Sequence, residues 1–194
     1  VQTGQKVHHI PFGIDTEKFI LNSESKNINT IYIGTVKSLE DKYGISYLIR
    51  AFAQVKLQIA HVELIVVGVG SLYDKLVKLA ENLGIENSIT FTGKVENDEV
   101  PHCLNKMDIF VAPSISESET FGVSAVEASA CSLPIIVSNI GGLPEVVIDG
   151  KTGFLVEPEN IDDLTEKLLI LINDKRVRKK MGDEGRHYVE ANYR

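Results

Sequence analysis

Two kinds of apolar pattern alternate along the chain. Short runs in which nearly every position is apolar, VELIVVG at 62–68, DIFVAPS at 108–114 and LPIIVSN at 133–139, read as strands covered on both faces, as parallel strands between helix layers must be. Between them lie segments whose apolar residues recur every three or four positions. Ile45, Leu48, Ile49, Phe52 and Val55 form one helical stripe, and YDKLVKLAENLG repeats the pattern, with Gly84 placed to cap its end. Further strands are predicted at 28–36, ending at Gly34, at 88–93 and at 153–157. A brief helix is predicted at 99–106 with Pro101 in its first turn, and two more close the chain at 160–174 and 175–193. Six strands alternating with helices predict an α/β fold, a Rossmann-like doubly wound six-stranded parallel sheet with helices on both faces.

In such a sheet ligands bind beyond the carboxyl ends of the strands. The turns on that edge carry Gly34, Gly68 with Gly70, Gly93, Ser114 with Glu119, and Gly141 with Gly142. The richest stretch is SISESETFGVSAVEASACSLPIIVSNIGG, from Ser114 to Gly142. In it Glu119 and Glu127 stand eight positions apart across a Phe-Gly pair, and Glu127 sits among Ala, Ser and Val, where an unpaired charge is costly to bury. If both were helical they would be ~80° apart around the axis and about 12 Å apart along it, too distant to work as one acid/base pair. Glu119 is therefore expected in the preceding loop, with the helix starting near Thr120 or Phe121 and Glu127 two turns in. The N–H groups of Phe121, Gly122 and Val123 then lie between the carboxylates and, with the helix dipole, form a site for an anion such as a phosphate. The Gly141-Gly142 pair is expected to let backbone approach a ligand.

Other phosphate motifs are weaker. GVGSLY at 68–73 contains GxG, but Tyr73 replaces the third glycine, and no GxxxxGK[ST] occurs. Lys37 and Lys42, in the loop after the first strand, are the cations placed to reach a diphosphate at the helix N-terminus.

Composition narrows the class. A chain of 194 residues, 43% hydrophobic and 24% charged, suits one α/β domain, and a net charge of −7 argues against nucleic acid as a partner. No apolar run approaches the ~20 residues of a membrane span, and VQTGQKVHHI has no secretory pattern, so a cytoplasmic protein is expected. Cys103, Cys131 and the five histidines lack metal-ligand spacing, so no metal site is predicted. Residues 1–27, with HHIPFGIDTEKF followed by the polar NSESKN, read as a linker arriving from a preceding domain, leaving 28–194 as the globular unit.

The run SISESETFGVSAVEASACSLPIIVSNIGGLPEVVIDGKTGFLVEP resembles the signature of the nucleotide-sugar-dependent glycosyltransferases of family 4, formerly group 1, which have the two-domain GT-B fold. Glu119 and Glu127 match that family's E-x7-E motif; PFGIDTEKF resembles its hinge, VELIVVGVGSL its V-G-x-G-P-L segment, ITFTGKV its F-x-G-x-V loop and MGDEGRHYVEANY its closing helix. The resemblance implies a donor-binding C-terminal half whose substrate is a nucleotide sugar such as a UDP- or GDP-sugar, with no cofactor and no essential metal. It places Glu119 near the donor sugar's hydroxyls and gives the backbone N–H groups of Phe121, Gly122 and Val123 to sugar and diphosphate. Glu127 would accept from ribose hydroxyls, Lys42 would neutralise the diphosphate leaving group, and Lys94 and Val95 would meet the nucleobase through backbone. Gly34, Thr35, Lys37, Gly68 and Gly70 complete the expected donor-binding set. The implied reaction is transfer of a hexose-type sugar with retention of configuration.

One departure concerns the diphosphate. The family pattern is G-R-x-x-x-x-K-G, whereas GTVKSLEDKYG has Thr35 where arginine is expected, and Lys37, as a point charge, cannot reproduce an arginine's bidentate fork. The resemblance covers the donor half alone. The acceptor-binding N-terminal half lies outside these residues, any peripheral membrane contact would come through it, and the piece alone is expected to bind a nucleotide without turning over. The alternatives are a non-catalytic nucleotide-sugar-binding relative and a GT-B-fold nucleotide-sugar epimerase.

Overall fold

A computed structural model describes residues 13–22 and 29–194. The elements run β1 (Ile31–Val36), α1 (Ile45–Lys56), β2 (Val62–Val67), α2 (Tyr73–Asn82), β3 (Ile89–Gly93), α3 (Val100–Asn105), β4 (Ile109–Ala112), α4 (Val123–Ala130), β5 (Ile135–Ser138), β6 (Gly153–Val156), α5 (Ile161–Asn173) and α6 (Lys175–Asn192). The six strands form one sheet in the order β3-β2-β1-β4-β5-β6, every neighbouring pair parallel, which is the predicted doubly wound sheet. The central strands β4 and β5 are buried at every position, whereas β3, at the edge, alternates between half-buried and more open positions.

Helices α1, α2 and α5 cover one face through Leu48, Phe52, Leu76 and Leu168, while α3 and α4 cover the other through Leu104, Val126 and Ala128. The predicted stripe Ile45, Leu48, Ile49, Phe52 and Val55 is buried throughout. At the end of α2, Gly84 adopts φ +67; its N–H bonds Glu81 O and that of Ile85 bonds Ala80 O, which closes the helix as the sequence predicts. α6 serves both layers. Met181 belongs to the first core and Val189 to the second, joined there by Tyr193 directly after the helix.

Gly34 corrects a predicted boundary. It lies inside β1, two residues before the strand ends, and a Cβ there would sit 2.3 Å from Met107 Sδ, so glycine leaves the room that the Met107 side chain fills. Ile28, the predicted start of that strand, and residues 1–12 and 23–27 of the predicted linker, including Pro11, lie outside the described residues.

The strand order reverses direction between β1 and β4. Their pairing covers two positions, Ile33 with Ile109 and Gly34 with Phe110, and the loops that follow these strands flank the crevice where doubly wound sheets bind ligands.

Candidate functional site

The loop after β1 is laid along the loop after β2. Lys37 N–H donates to Val67 O, Leu39 N–H to Val69 O, and Leu72 N–H to Leu39 O. Glu40 takes the Ser71 N–H at 2.9 Å and the Ser71 hydroxyl at 2.6 Å. A Cβ on Gly68 would lie 1.9 Å from Lys37 O, and one on Gly70 would lie 2.4 Å from Leu39 O. The GVG glycines therefore admit a neighbouring loop and hold Lys37 at the crevice.

The loop after β4 is seated by the turn after β5. Gly142 N–H donates to Glu119 O at 2.7 Å and Gly141 N–H to a Glu117 carboxylate oxygen at 3.1 Å. A Cβ would meet Glu119 O at 2.2 Å from Gly141 and Thr120 O at 2.0 Å from Gly142. The Gly-Gly pair, expected to face a ligand, instead fits against the chain's own Glu119 loop.

That loop delivers the Glu119 carboxylate to β1. Glu119 Oε2 accepts from Lys37 Nζ at 2.5 Å and from Ser114 Oγ at 3.2 Å, and Oε1 accepts from Gly122 N–H at 3.2 Å. The Lys37 and Glu119 side chains keep 13% and 10% of their exposure, enough burial to make each depend on the other.

The helix start differs from the prediction. Gly122 has φ +73, a left-handed conformation that ends the loop, and α4 begins at Val123. Glu127 is therefore little more than one turn in, not two. The Gly122 N–H, expected as an anion donor, is held by Glu119. Val123 and Ser124 open the helix where its own backbone supplies no acceptors, so the positive end of the dipole persists there. Phe121 lies outside the helix, its ring edge-on to Tyr193 at 5.5 Å.

Glu127 is half-buried, and among the described residues no side chain donates a hydrogen bond to it. Burial pushes its carboxyl up to about 7, opposed by the positive charges of Lys18 and Lys37. Lys18 comes from the 13–22 segment, where its ammonium bonds Asp98, beyond β3, at 2.6 Å. Lys94, in the same loop as Asp98, is exposed and paired with Glu96 at 2.8 Å, and Val95 packs on the second core.

The two loop lysines share one ring. Lys37 Nζ lies 4.6 Å and Lys42 Nζ 5.0 Å from the centroid of Tyr43, with Lys42 itself exposed. Thr35 is fully buried and its hydroxyl has no partner among the described residues, so its side chain presents no exposed group where arginine was expected.

The structure adds residues that pattern reading passed over. Arg186 on α6 donates to Phe19 O at 2.8 Å, to Thr16 O at 3.3 Å and to Ala130 O at the end of α4, fastening the 13–22 segment to that helix. Ile14 N–H donates to Tyr193 O at 2.7 Å, so α6 ends against this segment and Phe121. Tyr43 is one of them, an aromatic directly after a loop lysine being the available signal, whereas the sequence already places Ser114 on the ligand edge with Glu119 and the structure adds its bond to that carboxylate. Arg186 left no such signal, because its acceptors are backbone carbonyls distant in sequence.

A parallel sheet of this order, with a lysine–carboxylate pair at its switch point, has the architecture of the C-terminal domain of GT-B glycosyltransferases. Residues 16–188 match the family described as glycosyl transferases group 1, and the chain belongs to that family. It is 35% identical over 193 residues to an uncharacterized glycosyltransferase of Methanocaldococcus jannaschii, covering 90% of this chain and 53% of that protein. It is 29% identical over 200 residues to the GDP-mannose-dependent alpha-(1-6)-phosphatidylinositol monomannoside mannosyltransferase of Mycolicibacterium smegmatis, covering 96% of this chain and 52% of that one. Among solved structures, the C-terminal domain of the glycosyl transferase group 1 family protein LpcC from Francisella tularensis matches with a TM-score of 0.85 at 26% identity, over 94% of this chain and 99% of that chain. The chain spans about half the length of these two curated relatives.

Proposed function

We propose that this chain is the donor-binding half of a cytoplasmic hexosyltransferase that takes its sugar from a nucleoside-diphosphate sugar, retains the anomeric configuration and uses no metal. The observation that carries the reading is the Glu119 carboxylate, fixed by Lys37, Ser114 and Gly122 N–H beside the start of α4, with the half-buried carboxylate of Glu127 one turn further on. Lys37 bonds the carboxylate that also holds Gly122 N–H at the start of α4, and Lys42 shares the Tyr43 ring with Lys37, so in this reading two cations and the positive end of α4 serve one anion. A departing diphosphate would be stabilised there without a metal's charge, and such preorganised electrostatics is the largest catalytic contribution available to the site.

In this reading Glu119 meets hydroxyls of the transferred sugar, Glu127 accepts from the ribose, and the backbone at Lys94 and Val95 lines the base. The 13–22 segment serves as the hinge to an acceptor-binding half facing the same loop edge, and its fastening by Arg186 and Tyr193 supports that role. The relative that depends on GDP-mannose makes a GDP-sugar one of the donors to try first.

Calorimetric titration with UDP, GDP and ADP tests the reading. At least one should bind, and Glu127→Ala should weaken it; no binding by any of the three would overturn it. With radiolabelled nucleotide sugars and candidate acceptors the chain alone should show no transfer, and robust transfer would overturn its assignment as a half-enzyme.

A further inference from the structure

We propose that Tyr43 is the platform that holds Lys37 and Lys42 as a two-point clamp for the diphosphate of a bound nucleotide. The inference rests on the donor-site reading above and assigns a positioning residue within it.

A lysine is a point charge on a flexible stem, so two lysines make a clamp only if something orders them. The Tyr43 ring does this, with one ammonium 4.6 Å and the other 5.0 Å from its centroid. The ring's quadrupole attracts both cations and offsets part of their mutual repulsion before any anion arrives. The ring is itself held. It is half-buried against the first core in the short helical turn Asp41–Tyr43, where the Tyr43 backbone N–H donates to Glu40 O at 3.0 Å. On one side Glu40 is bonded to Ser71; on the other Gly44, at φ +63, lies so close beneath Pro113 that a Cβ would come within 2.0 Å of its carbonyl oxygen. Lys42 O also accepts from Ile115 N–H at 2.9 Å, tying the turn to the loop that carries Glu119.

The charges are unequally satisfied. Lys37 is paired with Glu119, whereas Lys42 has no carboxylate at ion-pair distance among the described residues. An incoming diphosphate meets Lys42 directly and competes with Glu119 for Lys37. As Lys37 turns to the phosphate, Glu119 Oε2 becomes available to accept from a sugar hydroxyl, so diphosphate binding and exposure of the sugar-binding carboxylate are one event. Thr35, fully buried, takes no part.

The test is paired calorimetric titration of UDP against UMP, and of GDP against GMP, with wild type, Tyr43→Leu and Tyr43→Phe. Tyr43→Leu should weaken the diphosphate about tenfold, leave the monophosphate within about twofold, and flatten the salt dependence of diphosphate binding. Tyr43→Phe, which keeps the ring, should retain diphosphate affinity and its salt dependence. Unchanged diphosphate binding in Tyr43→Leu would overturn the proposal. So would equal losses for mono- and diphosphate together with a lowered melting temperature, the sign of a merely structural role. If wild type binds none of the four nucleotides, the donor-site reading fails first; binding that ignores Tyr43 defeats this inference alone.

Discussion

The ammonium of Lys37 and the carboxylate of Glu119, 82 positions apart in sequence, meet at 2.5 Å across the switch point of the sheet. Neither group has enough water around it to tolerate loss of the other. Lys37→Met should therefore cost about 2 to 3 kcal/mol in urea unfolding, below the range for a fully buried pair because a little exposure remains. Adding Glu119→Gln removes the stranded charge and should recover about half of that loss, the test being a double-mutant cycle.

Glu127 makes stability depend on pH. With its folded carboxyl up at about 7 against an unfolded value of ~4.3, the folded chain holds the extra proton between those limits, so stability falls as pH rises through that window. Below it, both states are protonated and no penalty exists. Glu127→Gln should thus be more stable than wild type by about 1 to 2 kcal/mol at pH 8, a figure reduced for the partly solvated carboxylate, with the difference vanishing near pH 4. Urea melts across that range measure it.

The same titration should appear in binding. Ribose hydroxyls donate best to the ionised carboxylate, so nucleotide affinity should rise severalfold between pH 6 and 8 and stay flat in Glu127→Gln. Calorimetry in two buffers of different ionisation enthalpy should also register proton release on binding near neutral pH.

Gly142→Ala tests the seat of the Glu119 loop. Its Cβ would lie 2.0 Å from Thr120 O, so the backbone carrying Glu119 must shift. A loss of about 2 to 4 kcal/mol in unfolding free energy is expected, with nucleotide affinity falling in parallel. Gly84→Ala, whose Cβ would meet nothing within 4 Å, is the control. It should cost only the strain of its left-handed backbone, about 1 kcal/mol, and leave binding intact.

Arg186→Met should loosen the 13–22 segment. Three carbonyls, on Phe19, Thr16 and Ala130, lose their donor. Trypsin should then cut after Lys18 several times faster than in wild type, with a stability loss of about 2 to 3 kcal/mol.

Much of this protein could be read along the chain. Apolar runs and stripes located the six strands and the helices, because a strand's two-faced burial and a helix's stripe are written in neighbouring positions. The E-x7-E stretch and its flanking motifs pointed to the family, and Gly84 marked its helix end through a conformation that glycine favours locally. What the sequence determined is thus whatever depends on residues close together in it: the elements, their alternation, and the carboxylates that mark the site. The tertiary structure decided the rest. Lys37 pairs with Glu119, the glycines of GVG and Gly-Gly receive loops of the chain itself, Tyr43 gathers two lysines, and Arg186 binds the 13–22 segment. Each of these is a contact between separate loops brought to one edge by the parallel sheet, and no periodicity records which loop will lie against which.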